Sequence, residues 1–242
     1  MKNLSSILTN KEIQRYNRHI ILPEIGMKGQ EKLKNAKILV VGAGGLGSPV
    51  LSYLTAAGIG KIGIADSDTV SLNNLQRQIL FSSEQINETK TKAAKKNLAA
   101  LNPNTEFELF NEKFTKINGQ KILQKYDLVV DCTDNFMARY DIDYHCNLQN
   151  KAMIYGSISK FTGQISVFYY KNAKSYKDLF PEPPEIDEKD KSRLGVVGIL
   201  PGIVGSLQAN EVFKIITGIG NILAGKLLLI DILKPEFLIV DV

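Results

Sequence analysis

"KILVVGAGGLGSP", residues 37–49, is an apolar run that ends in a glycine-rich turn. Ile38 to Val41 reads as an unbroken apolar strand, the kind covered on both faces of a sheet. Leu46 to Ala57 follows as a helix stopped at Gly58, and Lys61 to Asp66 is a second strand. Strand, helix and strand within about thirty residues make a βαβ unit. Gly42, Gly44 and Gly47 fit G-x-G-x-x-G at its first turn, with Gly45 inside the motif. Gly42 permits the tight turn, Gly44 lets backbone approach phosphate, and Gly47 allows close packing of helix on strand. N–H groups at the helix start then face an anion, reinforced by the helix dipole. Asp66 ends the second strand, placed to accept hydrogen bonds from a ribose diol. A nucleotide site is expected, and the glycines alone do not choose between NAD and ATP.

The remaining chain extends the alternation. A length of 242 residues suits one elaborated α/β domain: an N-terminal helical segment (1–35), a nucleotide-binding core (36–150) and a mixed-sheet extension (151–242). Residues 11–35 read as two short polar helices around Leu22-Pro23 and Gly26. The long polar connection from Asp66 to Glu88 has the character of a functional loop. Lys90 to Leu101 reads as a helix, Thr105 to Phe110 as a strand, and Thr115 to Gln124 as a helix. Asp127 to Asp131 is a buried strand and Phe136 to Gln149 a helix. Ala152 to Ser157 and Gln164 to Tyr170 are predicted antiparallel strands joined by a turn at Gly163. Residues 171–195 form a charged crossover loop without helical or strand period, and Pro201 to Thr217 is an apolar helix. Lys226 to Asp231 and Glu236 to Asp241 close the chain as strands. The expected fold class is α/β: a Rossmann-like doubly wound sheet, mostly parallel, with antiparallel C-terminal strands.

Composition narrows the function classes. Thirty basic against twenty-five acidic residues give a formal charge of +5, which suits an anionic partner. No block of five or six consecutive basic residues supports a nucleic-acid stripe. Cys132 and Cys146 cannot build a disulfide framework, which points to a reducing setting. The start, MKNLSSILTNKEIQRY, lacks the apolar core of a signal peptide. No run reaches the roughly 18 apolar residues of a membrane span, so a cytoplasmic protein is expected. His19 and His145 show no evident partner, and with two scattered cysteines they make no zinc pattern.

Polar residues beyond the turn bear on the nucleotide. "SLNNLQRQ", residues 71–78, contains Arg77, and Lys90 opens the following helix. Both cations are placed to converge on the crevice at the carboxyl ends of the strands. A triphosphate carries more charge than a pyrophosphate already held by a helix N-terminus, and it calls for basic side chains. "DLVVDCTDNF", residues 127–136, puts Asp134 just past another strand end. A carboxylate there repels phosphate unless a cation lies between, which implies Mg²⁺. The blander reading makes Asp134 the N-cap of the next helix.

"RYNRHI" (15–20), "VGAGGLGS" (41–48), "SLNNLQRQ" (71–78), "DCTDN" (131–135), "GQISVF" (163–168), "LFPEPP" (179–184) and "LPGIVGSLQANE" (200–211) occur in that order. Together they resemble the ThiF/MoeB/HesA family, bacterial relatives of ubiquitin-activating enzymes, over about residues 11 to 240. The resemblance implies ATP-dependent adenylation of the C-terminal glycine of a ubiquitin-like sulfur carrier with a Gly-Gly tail. It further implies that the glycine turn and Asp66 hold the nucleotide, that Asn74, Arg77 and Lys90 contact phosphates, and that Asp134 holds Mg²⁺. Arg18 would reach in from the other subunit of a homodimer. The pathway would be thiamine or molybdopterin-type sulfur transfer, with "LFPEPP" and the short length leaning to thiamine. The carrier tail is expected against an exposed strand near Gly163 to Phe168.

The chain also departs from the family. Many relatives have two C-x-x-C pairs holding zinc; the first position here is Ser175-Tyr176-Lys177-Asp178, so no zinc is expected. Some relatives place a cysteine in the crossover, where this chain has Lys191 or a near neighbour. Sulfur is therefore expected from a separate donor. Rival readings are a tRNA-modifying ATP-dependent dehydratase, an NAD-dependent oxidoreductase and a non-catalytic module that docks a carrier.

Overall fold

A computed structural model describes residues 7–183 and 195–242. Thr9 and Glu12 form a capping box that opens α1 (Asn10–Arg15). Tyr16 ends α1 and begins α2 (Asn17–Ile20), and α3 spans Gly26–Asn35. Among the described residues the N-terminal segment thus holds three helices where two were expected. The buried Tyr16 ring fills the space that a side chain on Gly58 would need, and the chain breaks step around it.

The sheet then winds outward in both directions. β1 (Lys37–Val41), α4 (Gly47–Ala57) and β2 (Lys61–Ala65) form the expected βαβ unit. α5 (Lys90–Leu101), β3 (Glu106–Phe110), α6 (Gly119–Leu123), β4 (Leu128–Asp131) and α7 (Phe136–Gln149) follow. β5 (Met153–Ser159) and β6 (Thr162–Phe168) precede α8 (Tyr176–Leu179) and α9 (Ile199–Thr217), and β7 (Lys226–Asp231) and β8 (Glu236–Asp241) complete the order. Among the described residues the strands lie in the order β3-β2-β1-β4-β5-β6-β7-β8. The first five run parallel and the last three antiparallel. This is the doubly wound α/β sheet that the sequence predicts.

β1 shows why both faces are apolar. Ile38 and Val40 join a core with residues of α4 and α9, while Leu39 and Val41 point into a second core with residues of α6 and α7. Each buried aliphatic side chain contributes roughly 1.5–3 kcal/mol. Among the described residues no helix is long and apolar enough to cross a membrane.

Three local expectations need correction. The turn between β5 and β6 is at Lys160 and Phe161, with Lys160 in the left-handed region, while Gly163 lies inside β6 opposite Ile158. A Cβ on Gly163 would stand 2.5 Å from the Val204 side chain of α9, so the glycine admits the helix rather than making a turn. β6 also pairs with β5 on one side and, over Thr162 to Ile165, with β7 on the other. It is an interior strand there, not the exposed strand expected to take a carrier tail. α6 is shorter than predicted because the Asn118 carboxamide accepts the Thr115 N–H and closes a turn first.

The crossover is also more ordered at its root than its composition suggests. Ser175 and Asp178 form a capping box around α8. Tyr176 is buried, its ring packed on Tyr140, Tyr155, Phe168 and Phe180. Its N–H and the Tyr169 hydroxyl both donate to Asp143 Oδ1, each at 2.8 Å. Burial pushes the Asp143 carboxyl above its ordinary value. The histidines do find partners: His19 Nδ1 meets Gln30 Oε1 at 3.0 Å and His145 Nε2 meets the Lys116 carbonyl at 3.1 Å.

Tyr176→Ala should remove about 3–5 kcal/mol of stability by opening a cavity in this aromatic cluster, read from urea unfolding midpoints. A second expectation concerns acid. Lys125, helped by Lys61 and Tyr126, holds Glu108 down at about 2. Its stabilising contribution is complete above the ordinary carboxylate pKa of about 4.3 and is lost as pH falls toward that lower value. Acid unfolding of Glu108→Gln should lack this part of the pH dependence.

Candidate nucleotide site

Strand register places the site. Val41 pairs with Ala65 on one side and with Asp131 on the other, so β1, β2 and β4 end at one level. The chain reverses winding direction between β1 and β4, which opens a crevice at the carboxyl ends. Gly42 has φ +95°, and a Cβ on it would lie 2.5 Å from the Cys132 carbonyl oxygen. A Cβ on Gly47 would lie 2.1 Å from the Gly42 carbonyl oxygen. Only glycine fits at either position. α4 begins there at Gly47 without a side-chain cap. The Ser48 N–H already donates to the Gly44 carbonyl and Pro49 has no N–H, so an anion would meet the amides of the glycine turn just ahead of them.

Asp66 follows β2 and closes on the same turn. Its Oδ2 accepts the Ala43 N–H and its Oδ1 the Asp68 N–H, both at 2.8 Å. Burial pushes its carboxyl up, opposed by the nearby Lys90 charge and these two amides. The remaining lone pairs can accept a ribose diol. Lys90 is buried, with its ammonium 2.9 Å from Asp68 and 4.0 Å from Asp66. A buried ammonium needs such partners. Asp68 was missed in the sequence, although its D-x-D spacing to Asp66 places both carboxylates just past one strand end.

Residues 71–78 lie across the turn. Asn74 ends a 3₁₀ turn, and its amide donates to Asn73 Oδ1. Arg77 donates to the Asn73 carbonyl at 3.0 Å, and its stem passes 3.6 Å from where a Cβ on Gly45 would be. A Cβ on Gly198, at the start of α9, would meet the Gln76 carbonyl oxygen at 2.1 Å. The loop is thus wedged between the glycine turn and α9. Gln78, also missed, is buried with its amide nitrogen beside Gly44.

The β4 end resolves the ambiguity at Asp134. Asn135, not Asp134, caps α7, its Oδ1 accepting from the N–H groups of Met137 and Ala138. Asp134 is exposed and has neither hydrogen bond nor ion pair among the described residues. Among them no group of three or more His, Cys, Asp or Glu side chains could hold a metal. Mg²⁺ needs no such cage, since it keeps waters and shares phosphate oxygens with one or two carboxylates. A single unspent carboxylate just past the end of β4 fits that donor set. Beneath it, Asp131 is buried against Arg139 (Nε to Oδ2, 3.2 Å), a pair the sequence reading passed over. A charged residue ending an otherwise apolar strand was its signal.

The glycine turn, Asp66, Arg77 and Lys90 are brought together, with Asn74 in the covering loop and Asp134 at the neighbouring strand end. Arg18 is not: it is exposed on α2, without a partner among the described residues, and α2 packs on α3. Lys191 falls outside the described residues. Cys132 and Cys146 are buried, and burial pushes both thiols well up, which leaves neither poised as a nucleophile.

The model of the ThiF family matches residues 16–242. The chain belongs to the ThiF family. It is 45% identical over 235 residues to the sulfur carrier protein adenylyltransferase of Thermus thermophilus, covering 95% of this chain and 87% of that protein. It is also 45% identical over 229 residues to a probable molybdopterin-synthase adenylyltransferase of Porphyra purpurea, 94% of this chain and 60% of the relative. The crystal structure of E. coli MccB with AMPCPP and MccA superimposes with TM-score 0.80 at 26% identity, over 94% of this chain and 71% of that one. Within the ThiF fold, the tight Gly42–Gly47 approach has a direct test. Gly47→Ala should weaken ATP binding about 10²-fold or more by forcing α4 off the turn, since a misplacement of about 1 Å can cost that much; binding calorimetry reads the loss.

Proposed function

We propose that this ThiF-family protein adenylates the C-terminal glycine carboxylate of a ubiquitin-like sulfur carrier, using ATP and Mg²⁺. The placement of Lys90 and Arg77 against the glycine turn and Asp66, with the unspent Asp134 at the neighbouring strand end, supports the reading best. The names of the curated relatives support its substrate class. An NAD-dependent reaction would leave those three side chains without a task.

The chemistry joins an anion to a polyanion. The attacking carboxylate is already ionised near neutral pH, so no strong base is needed. A carboxylate oxygen attacks the α-phosphorus, the bond to the bridging oxygen breaks, and pyrophosphate leaves. The amides of the glycine turn and Asp66 hold the nucleotide, and Lys90 and Arg77 neutralise charge where it builds up. Asp134 would hold Mg²⁺, which would supply charge neutralisation on the phosphates. The reading covers thiamine- and molybdopterin-type carriers alike. The proposal includes a homodimer in which Arg18 serves the partner's site, a separate sulfur donor, and no zinc.

Carrier-dependent ATP–pyrophosphate exchange tests the reading. Arg77→Ala, Lys90→Ala and Asp134→Ala should each cost about 10²-fold or more, equivalent to about 3 kcal/mol of transition-state stabilisation. Near-normal exchange in all three would remove the assignment. Mixing Arg18→Ala with Asp134→Ala protein should restore part of the activity if Arg18 acts across a dimer. No recovery would place Arg18 outside the site.

A further inference from the structure

The turn at residues 131–135 is held by a charge pair that touches no ligand position. Asp131 is fully buried and Arg139, one turn into α7, is 4% exposed. The guanidinium reaches three parts of the structure at once. Its Nε donates to Asp131 Oδ2 at 3.2 Å, and its Nη2 donates to the Thr133 carbonyl at 3.0 Å and the Gly156 carbonyl of β5 at 3.3 Å. Phe136 and Tyr155 stack on it, with the guanidinium carbon 5.4 and 5.3 Å from their ring centres. The other carboxylate oxygen of Asp131 accepts the Thr133 N–H at 3.0 Å and the Thr133 hydroxyl at 2.6 Å. Gln208 of α9 donates to the Asp131 carbonyl at 2.7 Å. Every residue flanking Asp134 is therefore fixed from below or by the α7 cap, while the Asp134 carboxylate itself is free.

Resting on the nucleotide reading above, we propose that Arg139 is a positioning residue: clamped to Asp131, Thr133 and Gly156, it sets the turn so that Asp134 presents its carboxylate to the metal on the nucleotide phosphates. The alternative is a pair that serves the fold alone. A planar fork that bridges a carboxylate and two carbonyls suits the positioning role, because a lysine ammonium can restore the charge but not that geometry. Partners one shell out from a metal ligand commonly set its affinity by about 10–100-fold.

The experiment titrates Mg²⁺ against ATP binding, measured by calorimetry on the whole protein without a carrier, alongside thermal unfolding. Arg139→Met should raise the Mg²⁺ concentration for half-maximal enhancement of ATP binding about tenfold or more. Arg139→Lys should recover much of the melting temperature yet keep the shifted Mg²⁺ requirement, and it serves if Arg139→Met does not fold. In an Asp134→Asn background, adding Arg139→Lys should move the Mg²⁺ requirement by less than about twofold, since both changes then act through one lost carboxylate. A folded Arg139→Lys protein with the wild-type Mg²⁺ requirement would overturn the positioning role, as would an Arg139 effect undiminished without Asp134. Wild-type protein that binds no ATP at any Mg²⁺ concentration would instead remove the nucleotide reading, and this inference with it.

Discussion

The carbonyl oxygen of Gly42 occupies the place next to which residue 47 has no room for a side chain. From that close approach the rest follows. It lets α4 begin directly against β1, so that free amides and the positive end of the helix dipole meet at the strand end. The Cys132 carbonyl also lies close beneath Gly42, 2.5 Å from where a Cβ would be, which locks the β4 turn to the β1 turn. Because β1, β2 and β4 finish at one level of the sheet, the chemistry-bearing residues after each strand become neighbours without any long side chain reaching across. Asp66 then ties the assembly together by accepting from Ala43 inside the glycine motif.

Charge is arranged so that the free protein is already paired. Lys90 rests on Asp68 and near Asp66, and Arg139 rests on Asp131. Unpaired charges at that depth would be costly. The two pairs nevertheless differ. The Asp68 side chain is largely exposed, 66% by area, whereas Asp131 is wholly buried. An ammonium held by an exposed carboxylate can lean toward an arriving phosphate at small cost, because water solvates the carboxylate left behind. The Arg139 pair has no such outlet and stays as a fixed part of the frame. On the proposed reading, the pair with that outlet faces the nucleotide while the fixed one shapes the turn.

Much of this was legible in the chain. The bounds of α5, α7, β7 and β8 match their predicted limits, since each is bracketed by turn residues and has a clear apolar pattern. The glycine spacing gave the βαβ turn and the level of Asp66. The misreadings share one cause, which is contact between distant segments. Nothing near Gly163 reveals that α9 will press on it or that β7 will return to pair with β6, so a packing glycine was taken for a turn and an interior strand for an exposed one. The α8 turn depends on Tyr176 meeting aromatic residues from α7, β5 and β6. Asp134 and Asn135 are both good caps, and only backbone geometry shows that the second takes the task and leaves the first free.

That last distinction bears on how a phosphate site can tolerate an acid at its rim. Had Asp134 capped α7, its charge would be spent on two amides. With Asn135 doing the capping through a neutral carboxamide, the negative charge one residue earlier remains exposed just past the end of β4. An unspent carboxylate there weakens bare triphosphate binding by repulsion, and it favours the same triphosphate once a divalent cation lies between them. On the proposed reading, the division of labour between two adjacent residues therefore favours a metal-bound nucleotide over a bare one.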